Sequence, residues 1–339
     1  MMRAYVEVSG ESPALGHAEA VAASEALGGG AALAEPQFTR LVAVELPDPA
    51  LLARLAERLA LAHRCLRWLA GEAELDPVLC TEAARGGTAA FRRLGSDSGT
   101  ADPGILNAGR TYTAGGGRID LRHPARRFWL ARDVAGRESL LEETGVVDRA
   151  ALGTHRMPLL PFQRPVSLPP RFARAAANLA RVRPGDRVLD PFLGTGALLA
   201  EAGLLGARLY GIDRDATMVR GALENLTHLG VSAESLAVGD AGDVEFPDRA
   251  LRFDALLTDP PYGRSSSTGG EAPHRLVERV VPRWAERVTP TGRVVLVVPS
   301  GAPELPEPWT RTLSVPVRVH RSLTREFRVY ERAGVGRSR

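Results

Sequence analysis

Arg187-Val188-Leu189-Asp190-Pro191-Phe192-Leu193-Gly194-Thr195-Gly196 decides the fold of this 339-residue chain. A short apolar run stops at a carboxylate and a proline, two glycines follow, and an apolar helical stretch begins directly after them. That order is the strand, glycine turn and helix of an α/β unit, in which glycine lets the backbone come close to a ligand at a helix N-terminus. Downstream the rhythm repeats, with strands expected near 187 to 190, 208 to 212, 235 to 238, 254 to 258 and 293 to 298. Helices are expected between them at 196 to 205, 215 to 229 and 274 to 288. Strands alternating with helices imply a mostly parallel sheet, so the fold class is α/β. The tail departs from it, because Val315 to His320 and Phe327 to Tyr330 lie close enough to pair as an antiparallel hairpin.

The glycine turn does not suit a dinucleotide. That site needs a third small residue three positions after Gly196, where Leu199 stands, and the Asp190 carboxylate would oppose a pyrophosphate. Asp190 would instead favour the ammonium and sulfonium of S-adenosylmethionine. The next strand ends on Asp213, nineteen residues after Gly194, where a carboxylate accepts from ribose hydroxyls. Asp215 is expected to cap the following helix. Gly239-Asp240-Ala241 ends the third strand, with Asp240 as the acceptor for the adenine amino group. The cofactor-binding candidates are therefore Asp190, Pro191, Phe192, Gly194, Gly196, Asp213, Asp240 and Ala241, with Ser167 from the segment described below.

The second motif is Ala255-Leu256-Leu257-Thr258-Asp259-Pro260-Pro261-Tyr262, an apolar strand ending abruptly at the rim of the sheet. Pro260 and Pro261 remove two backbone donors, so the carbonyls beside them can only accept. Asp259 and these carbonyls suit the two N–H bonds of an exocyclic amine, and the ring of Tyr262 can stack on the face of a base. Asp259, Pro260, Pro261 and Tyr262 are the catalytic candidates. A plain strand-ending turn capped by an aspartate is the alternative for Asp-Pro-Pro alone; Tyr262 and the partner motif argue against it.

The chain is long enough for two or three domains, and 44% hydrophobic with 24% charged residues marks a globular protein. Its apolar runs are short of a membrane span and no signal peptide opens it, so a cytoplasmic location is expected. All 43 basic residues are Arg, which excludes a lysine P-loop and Schiff-base chemistry. Cys65 and Cys80 have no metal-type spacing and read as reduced thiols, with no metal site expected. Residues 85 to 132 hold nine Arg against three Asp, 156 to 183 six Arg and no acid, and 311 to 339 eight Arg against two Glu. A polyanionic partner or a solvated Arg-rich surface both fit that distribution.

Before the α/β region, Arg3 to Gly10 alternates like a strand, Ser12-Pro13 opens a helix, and Thr39 to Leu46 is a second strand. Pro49 to Leu69 carries Leu51, Leu52, Leu55, Leu59, Leu66 and Leu69 at helical spacing and reads as one helical segment. Residues 86 to 120 are rich in Gly, Thr and Ser and close with a short strand and turn at Arg118 to Pro124, after which Phe128 to Leu130 is a strand. Met157 to Pro170 contains five prolines in fourteen residues, as a stiff linker or cofactor-pocket lid should. A helix runs from Pro170 through Asn178.

Asp190-Pro-Phe-x-Gly-x-Gly196 with Asp259-Pro-Pro-Tyr262 resembles the amino-methyltransferases, and Thr258 to Ser267 resembles the archaeal tRNA (guanine-10-N2)-methyltransferases. The likeness extends to Tyr5 to Glu11, Arg118 to Pro124, His155-Arg156 and His320 to Arg325. The resemblance implies a Rossmann-like class I methyltransferase domain at 171–335, with a seven-stranded mixed sheet ending in an antiparallel hairpin. It also implies a preceding α+β region: a ferredoxin-like domain at 1–48, a short THUMP-like RNA-binding region at 49–135 and a Pro-rich linker at 136–170. The implied activity is methyl transfer from S-adenosylmethionine to guanosine N2 in tRNA, at position 10, with tRNA and a small zinc-binding activator subunit as partners. The departures are a short, glycine-rich THUMP-like region and, from Met157 to Pro170, no compact His-Pro-Phe-Phe pattern. The rival readings are a DNA amino-methyltransferase acting on adenine N6 or cytosine N4, and a non-catalytic RNA-binding protein. Only about forty residues follow the last parallel strand, too few for the separate target-recognition region of a DNA enzyme.

Overall fold

The computed structural model describes residues 1–32, 37–95, 102–155, 159–164, 167–261, 271–320 and 323–334. Two units emerge, one of Met1–Pro13, Leu27–Glu57 and Ala62–Val147, the other of Ala14–Ala26, Arg58–Leu61 and Asp148–Arg339. Among the described residues no helix is long and apolar enough to cross a membrane.

The first unit is built on eight strands: β1 (Met2–Val8), β2 (Gly30–Ala31), β3 (Leu41–Leu46), β4 (Ala62–Gly71), β5 (Thr88–Arg93), β6 (Arg118–Ile119), β7 (Arg126–Arg132) and β8 (Glu138–Val146). Their order is β2-β3-β1-β4-β8-β7-β5-β6. The helices along this part of the chain are α1 (Pro13–Ala26), α2 (Leu51–Arg58), α3 (Leu75–Ala84) and α4 (Pro103–Ala114).

Two expectations fail here. The helical segment from Pro49 ends at Arg58, and Leu66 and Leu69 belong to β4, which pairs antiparallel with β1 and β8. Arg64 and Arg67, three apart as on a helix, instead bond carboxylates of the flanking strands: Glu7 and Glu143 for Arg64, Glu142 for Arg67. The stretch from 86 to 120, read as rich in Gly, Thr and Ser with only a closing strand and turn, contains β5 and the twelve-residue α4. Asp102 caps α4 by accepting from Ile105 N, and Pro103 takes the first helical turn, where its missing N–H does no harm.

The Arg-rich stretch from 85 to 132 is also less basic than its count. Arg85, Arg93, Arg126, Arg127 and Arg132 each pair with a carboxylate, drawn from Glu82, Asp102, Glu138, Glu142 and Glu143. Of these acids only Asp102 lies inside the counted stretch. Arg92, Arg110, Arg118 and Arg122 are exposed and have no ion pair among the described residues.

The second unit contains α5 (Arg149–Thr154), α6 (Pro170–Leu179), α7 (Ala197–Leu204), α8 (Ala216–His228) and α9 (Pro273–Ala285). Its strands are β9 (Arg187–Asp190), β10 (Arg208–Asp213), β11 (Ala233–Val238), β12 (Phe253–Thr258), β13 (Val288–Pro299), β14 (Trp309–His320) and β15 (Leu323–Arg332). They form one seven-stranded mixed sheet in the order β11-β10-β9-β12-β13-β15-β14. β9 to β13 run parallel, and β15 is antiparallel to both β13 and β14. This is the Rossmann-like mixed α/β sheet expected from the sequence, with its terminal antiparallel hairpin.

Alternate strand residues feed two cores on opposite faces. Val188, Leu257, Val295 and Val297 join the core that holds Phe172 of α6, Leu199 of α7 and Ala222 of α8. Leu189, Leu256, Val294 and Leu296 join the one that holds Trp284 of α9, whose ring meets Phe246 and Phe253 edge-on. A sheet covered on both faces explains why its strands read as continuous apolar runs.

Within the same unit, Glu19 of α1 is wholly buried. Its carboxylate accepts from Ala60 N at 2.9 Å, Leu61 N at 2.8 Å and Asn178 Nδ2 at 2.8 Å. Those two backbone N–H groups thus find a side-chain acceptor in place of the carbonyls a continuing helix would have supplied.

Candidate active site

The chain lays β9, β10 and β11 outward in one direction, then returns to place β12 on the other side of β9. Ligands of open α/β sheets bind at such a reversal, in the crevice beyond the C-terminal strand ends. Asp190 ends β9 and Thr258 ends β12, with Leu189 facing Leu256 in register. Thr258 Oγ1 donates to Asp190 Oδ1 at 2.8 Å, a buried bond joining two motifs that are 68 residues apart. Phe192 N donates to the same oxygen at 3.0 Å. Oδ2 takes no bond among the described residues.

Burial and the negative charge of Asp259 and Asp213 push Asp190 up to about 7, against the pull of the Phe192 N–H and the Thr258 hydroxyl. Asp213 is raised in the same direction, chiefly by burial. Its Oδ2 accepts from Gly194 N at 2.8 Å and its Oδ1 from Asp215 N at 2.9 Å, so it braces the glycine turn from the end of β10. Gly194 and Gly196 have φ of 53° and 81°, the left-handed region that glycine adopts without strain. A Cβ on Gly196 would stand 3.2 Å from that of Ala222. Asp215 caps α8 by accepting from Thr217 N, as expected.

The segment before α6 closes on this turn. Ser167 Oγ lies 2.9 Å from Thr195 Oγ1. Asn225 of α8 holds the backbone of Phe162 at both ends, accepting from its N–H at 2.9 Å and donating to its carbonyl at 3.0 Å, and donates to Thr195 O as well. The Phe162 ring crosses Gly221 so closely that a Cβ there would be 2.1 Å away. Neither Asn225 nor Gly221 stands out in the sequence, where each reads as an ordinary helix position.

Asp240 is more committed than expected. Its oxygens receive both terminal nitrogens of Arg279, at 3.0 and 3.1 Å, and Oδ1 also takes Gly242 N at 2.7 Å. The Arg279 guanidinium holds its carboxyl below the usual range. The Ala241 carbonyl accepts from Trp284 Nε1.

Beyond β12, Asp259 pairs through Oδ2 with Arg325 Nη1 of β15; Arg325 ends one of the stretches that carry the family resemblance, but its pairing with Asp259 is not visible in the sequence. Asp259 Oδ1 is buried and has no partner among the described residues. Burial raises this carboxyl to about 6, and Arg325 opposes the rise. Pro260 is buried and Pro261 half-buried. Tyr262, the remaining catalytic candidate, lies outside the described residues.

Residues 159–305 match a family described as "RMKL-like, methyltransferase domain". A tRNA (guanine(10)-N2)-dimethyltransferase of Methanothermobacter thermautotrophicus is 36% identical over 220 residues, covering 63% of this chain and 64% of that protein. The chain thus spans somewhat less than two thirds of that relative's length. A Methanothermococcus thermolithotrophicus protein described as a probable tRNA (guanine(10)-N2)-dimethyltransferase is 32% identical over 170 residues, 48% of this chain and 98% of the relative. Among solved structures, a possible methylase from Clostridium difficile 630 covers 99% of both chains with a TM-score of 0.51 at 14% identity, a likeness of fold.

Proposed function

We propose that this chain, which belongs to the family of tRNA (guanine(10)-N2)-methyltransferases, transfers a methyl group from S-adenosylmethionine to the exocyclic N2 of a guanosine in tRNA, at position 10. The observation that carries the proposal is the bond from Thr258 to Asp190, which ties the cofactor motif to the strand bearing Asp259 at one sheet reversal. A buried, partnerless acceptor on Asp259 stands beside it.

The residues suit this cofactor. Asp190 is raised by burial and by the charges of Asp259 and Asp213 and has no ion pair among the described residues, whereas Asp259 is paired with Arg325. A buried carboxylate lacking a counter-charge favours a cationic ligand. In this reading Asp190 faces the cationic end, and Asp213 accepts from the ribose. Pro191, Phe192, Gly194 and Gly196 form the cradle, and Ser167 closes it through Thr195. A carboxylate offers about four lone-pair sites. Arg279 and Gly242 take three on Asp240, leaving one on Oδ2 for the adenine amino group beside Ala241.

The bound cofactor supplies an electrophilic methyl carbon. A guanine amine is a poor nucleophile because its lone pair is delocalised into the ring. Asp259 Oδ1 and a carbonyl near Pro260 would accept its two N–H bonds, localising the lone pair toward the methyl, and Oδ1 would take the proton released as the N–C bond forms and the S–C bond breaks, with S-adenosylhomocysteine as the leaving group. Tyr262 holds the base after it leaves its stack. The ranges 1–48 and 49–135 act as ferredoxin-like and THUMP-like docking regions and 171–335 as the methyltransferase domain; of the expected linker at 136–170, β8 (Glu138–Val146) belongs instead to the first unit's sheet, paired with β4 and β7. The exposed Arg92, Arg110, Arg118 and Arg122 supply phosphate contacts. A cytoplasmic location and a small zinc-binding activator subunit belong to the same reading.

The test is to incubate purified protein with methyl-labelled S-adenosylmethionine and either unmodified tRNA or duplex DNA, then digest and identify the labelled nucleoside. N2-methylguanosine or its dimethyl form from tRNA is the expected product. Label in adenine or cytosine of DNA, or none in either, would sink the proposal.

A further inference from the structure

We infer that Arg325 is a positioning residue for the transfer: from the C-terminal hairpin it holds Asp259 by Oδ2, leaves Oδ1 aimed at the acceptor amine and keeps the carboxylate ionised. This rests on the reading proposed above and adds to it a residue outside both sequence motifs and outside the family match, which ends at 305.

Arg325 sits on β15 opposite Pro299 of β13 and Val317 of β14. Because β13 lies between β12 and β15, the guanidinium must reach across the end of β13 to meet Asp259. The residue is 9% exposed and its partner is also shielded, so their attraction is little screened. An Arg–carboxylate pair formed for stability alone usually closes as a fork, with two parallel N–H···O bonds. Here the pair is left open: Arg325 Nε and Asp259 Oδ1 are both buried and neither has a partner among the described residues. One bond fixes the carboxylate while its other oxygen stays free, which is the arrangement an acceptor of an incoming N–H requires. Arginine is already protonated and cannot take the proton itself, so its effect must pass through Asp259.

The charge balance points the same way. Burial raises the Asp259 carboxyl and Arg325 is the cation opposing that rise, while Asp190, at the end of the neighbouring β9, is itself raised by the Asp259 charge. Without it the carboxyl would rise further and be neutral over more of the physiological range.

The experiment uses the full chain, labelled S-adenosylmethionine and an unmodified tRNA transcript. kcat and KM are measured over pH about 5 to 9 for the wild type, Arg325→Gln and Arg325→Lys. S-adenosylhomocysteine binding by calorimetry reports an intact fold and cofactor pocket. Arg325→Gln should bind that ligand normally, lose about tenfold or more in kcat at neutral pH, and show its acid limb moved up by about one unit or more. KM for tRNA should stay within about threefold. Arg325→Lys keeps the charge, so its limb should stay within about half a unit of wild type. A folded Arg325→Gln with an unmoved limb overturns the inference, whether kcat is retained or lost, because loss without movement marks a merely structural role. If Arg325→Gln does not bind the ligand, Arg325→Lys decides, and a limb displaced by more than about half a unit overturns it. A wild type that transfers no methyl to tRNA sinks the proposed function as well, which separates the two failures.

Discussion

Asn at position 213 would keep the shape of the side chain while removing its charge and one acceptor oxygen. In the native chain Oδ2 takes the Gly194 N–H at 2.8 Å and Oδ1 the Asp215 N–H at 2.9 Å. With Asn, one of these donors faces an amide NH2 and is left without its charged acceptor, at a cost of about 1.5–3 kcal/mol. Part of that falls on the free protein and lowers its stability. The rest falls on cofactor affinity, because the turn that cradles the ligand is less well held and the ribose is deprived of a charge-assisted bond. The net expectation is about 1–3 kcal/mol in binding, or about 5- to 150-fold in Kd for S-adenosylmethionine. Asp213→Ala frees both N–H groups and should lie at the upper end of that range. Calorimetric titration of both variants at one pH and salt concentration, with thermal melts alongside, separates the two shares. The wild-type carboxyl is raised by burial, so acidification should weaken binding in the wild type more than in Asp213→Asn. A Kd within about twofold of wild type in both variants would refute the ribose role and leave Asp213 as a brace for the turn only.

Three further outcomes are expected. Burial and the neighbouring carboxylates push Asp190 up to about 7, so a cationic ligand bound beside it should lower its pKa and release up to about half a proton at neutral pH, whereas the uncharged thioether of S-adenosylhomocysteine should release less; binding enthalpies independent of buffer ionisation for both ligands would contradict this. Glu19→Gln turns one of its acceptor oxygens into a donor facing Ala60 N, Leu61 N or the Asn178 amide and should lower unfolding free energy in urea by about 1–3 kcal/mol. Because burial raises Glu19 to about 7, the stability it lends is fully present below its unfolded value of 4.5 and declines as pH rises through 7; a Gln variant with an unchanged pH slope would show that Glu19 does not titrate there. Replacing Arg92, Arg110, Arg118 and Arg122 together by Ala should flatten the log–log salt dependence of tRNA affinity by about 0.7–0.9 for each phosphate these side chains neutralise, and an unchanged slope would move the dock elsewhere.

What could be read from the sequence, and what could not, follows from the range over which each feature is determined. β9, β10 and β12 were legible because a strand buried on both faces is a local apolar run, and the cap at Asp215 because capping acts within two or three residues. β4 reads as helix because its leucines satisfy a helical period, and what makes it a strand is its neighbours β1 and β8. α4 carried a local signal, Asp102 before Pro103, that the surrounding glycines and threonines outweighed. The Arg count from 85 to 132 misleads because a window along the chain cannot see Glu138, Glu142 and Glu143 lying across the sheet.

The site divides along the same line. Strand ends at a sheet reversal announce themselves as motifs, since a carboxylate, glycines or prolines must interrupt an apolar run there, and Asp190, Asp213 and Asp259 are visible for that reason. The partners that set their charge and aim leave no such trace. Thr258 looks like the last residue of a strand until sheet order brings Asp190 beside it, and Arg325, although it ends a family-like stretch, shows no tie to Asp259 until the hairpin register sets it opposite Pro299. A motif therefore identifies which carboxylate acts, while the residues that decide whether it is ionised, and which oxygen it offers, come from elements that only the folded sheet places next to it. A chain with Asp-Pro-Pro-Tyr intact but a neutral residue in place of Arg325 would keep the motif and, by this reasoning, lose turnover at neutral pH.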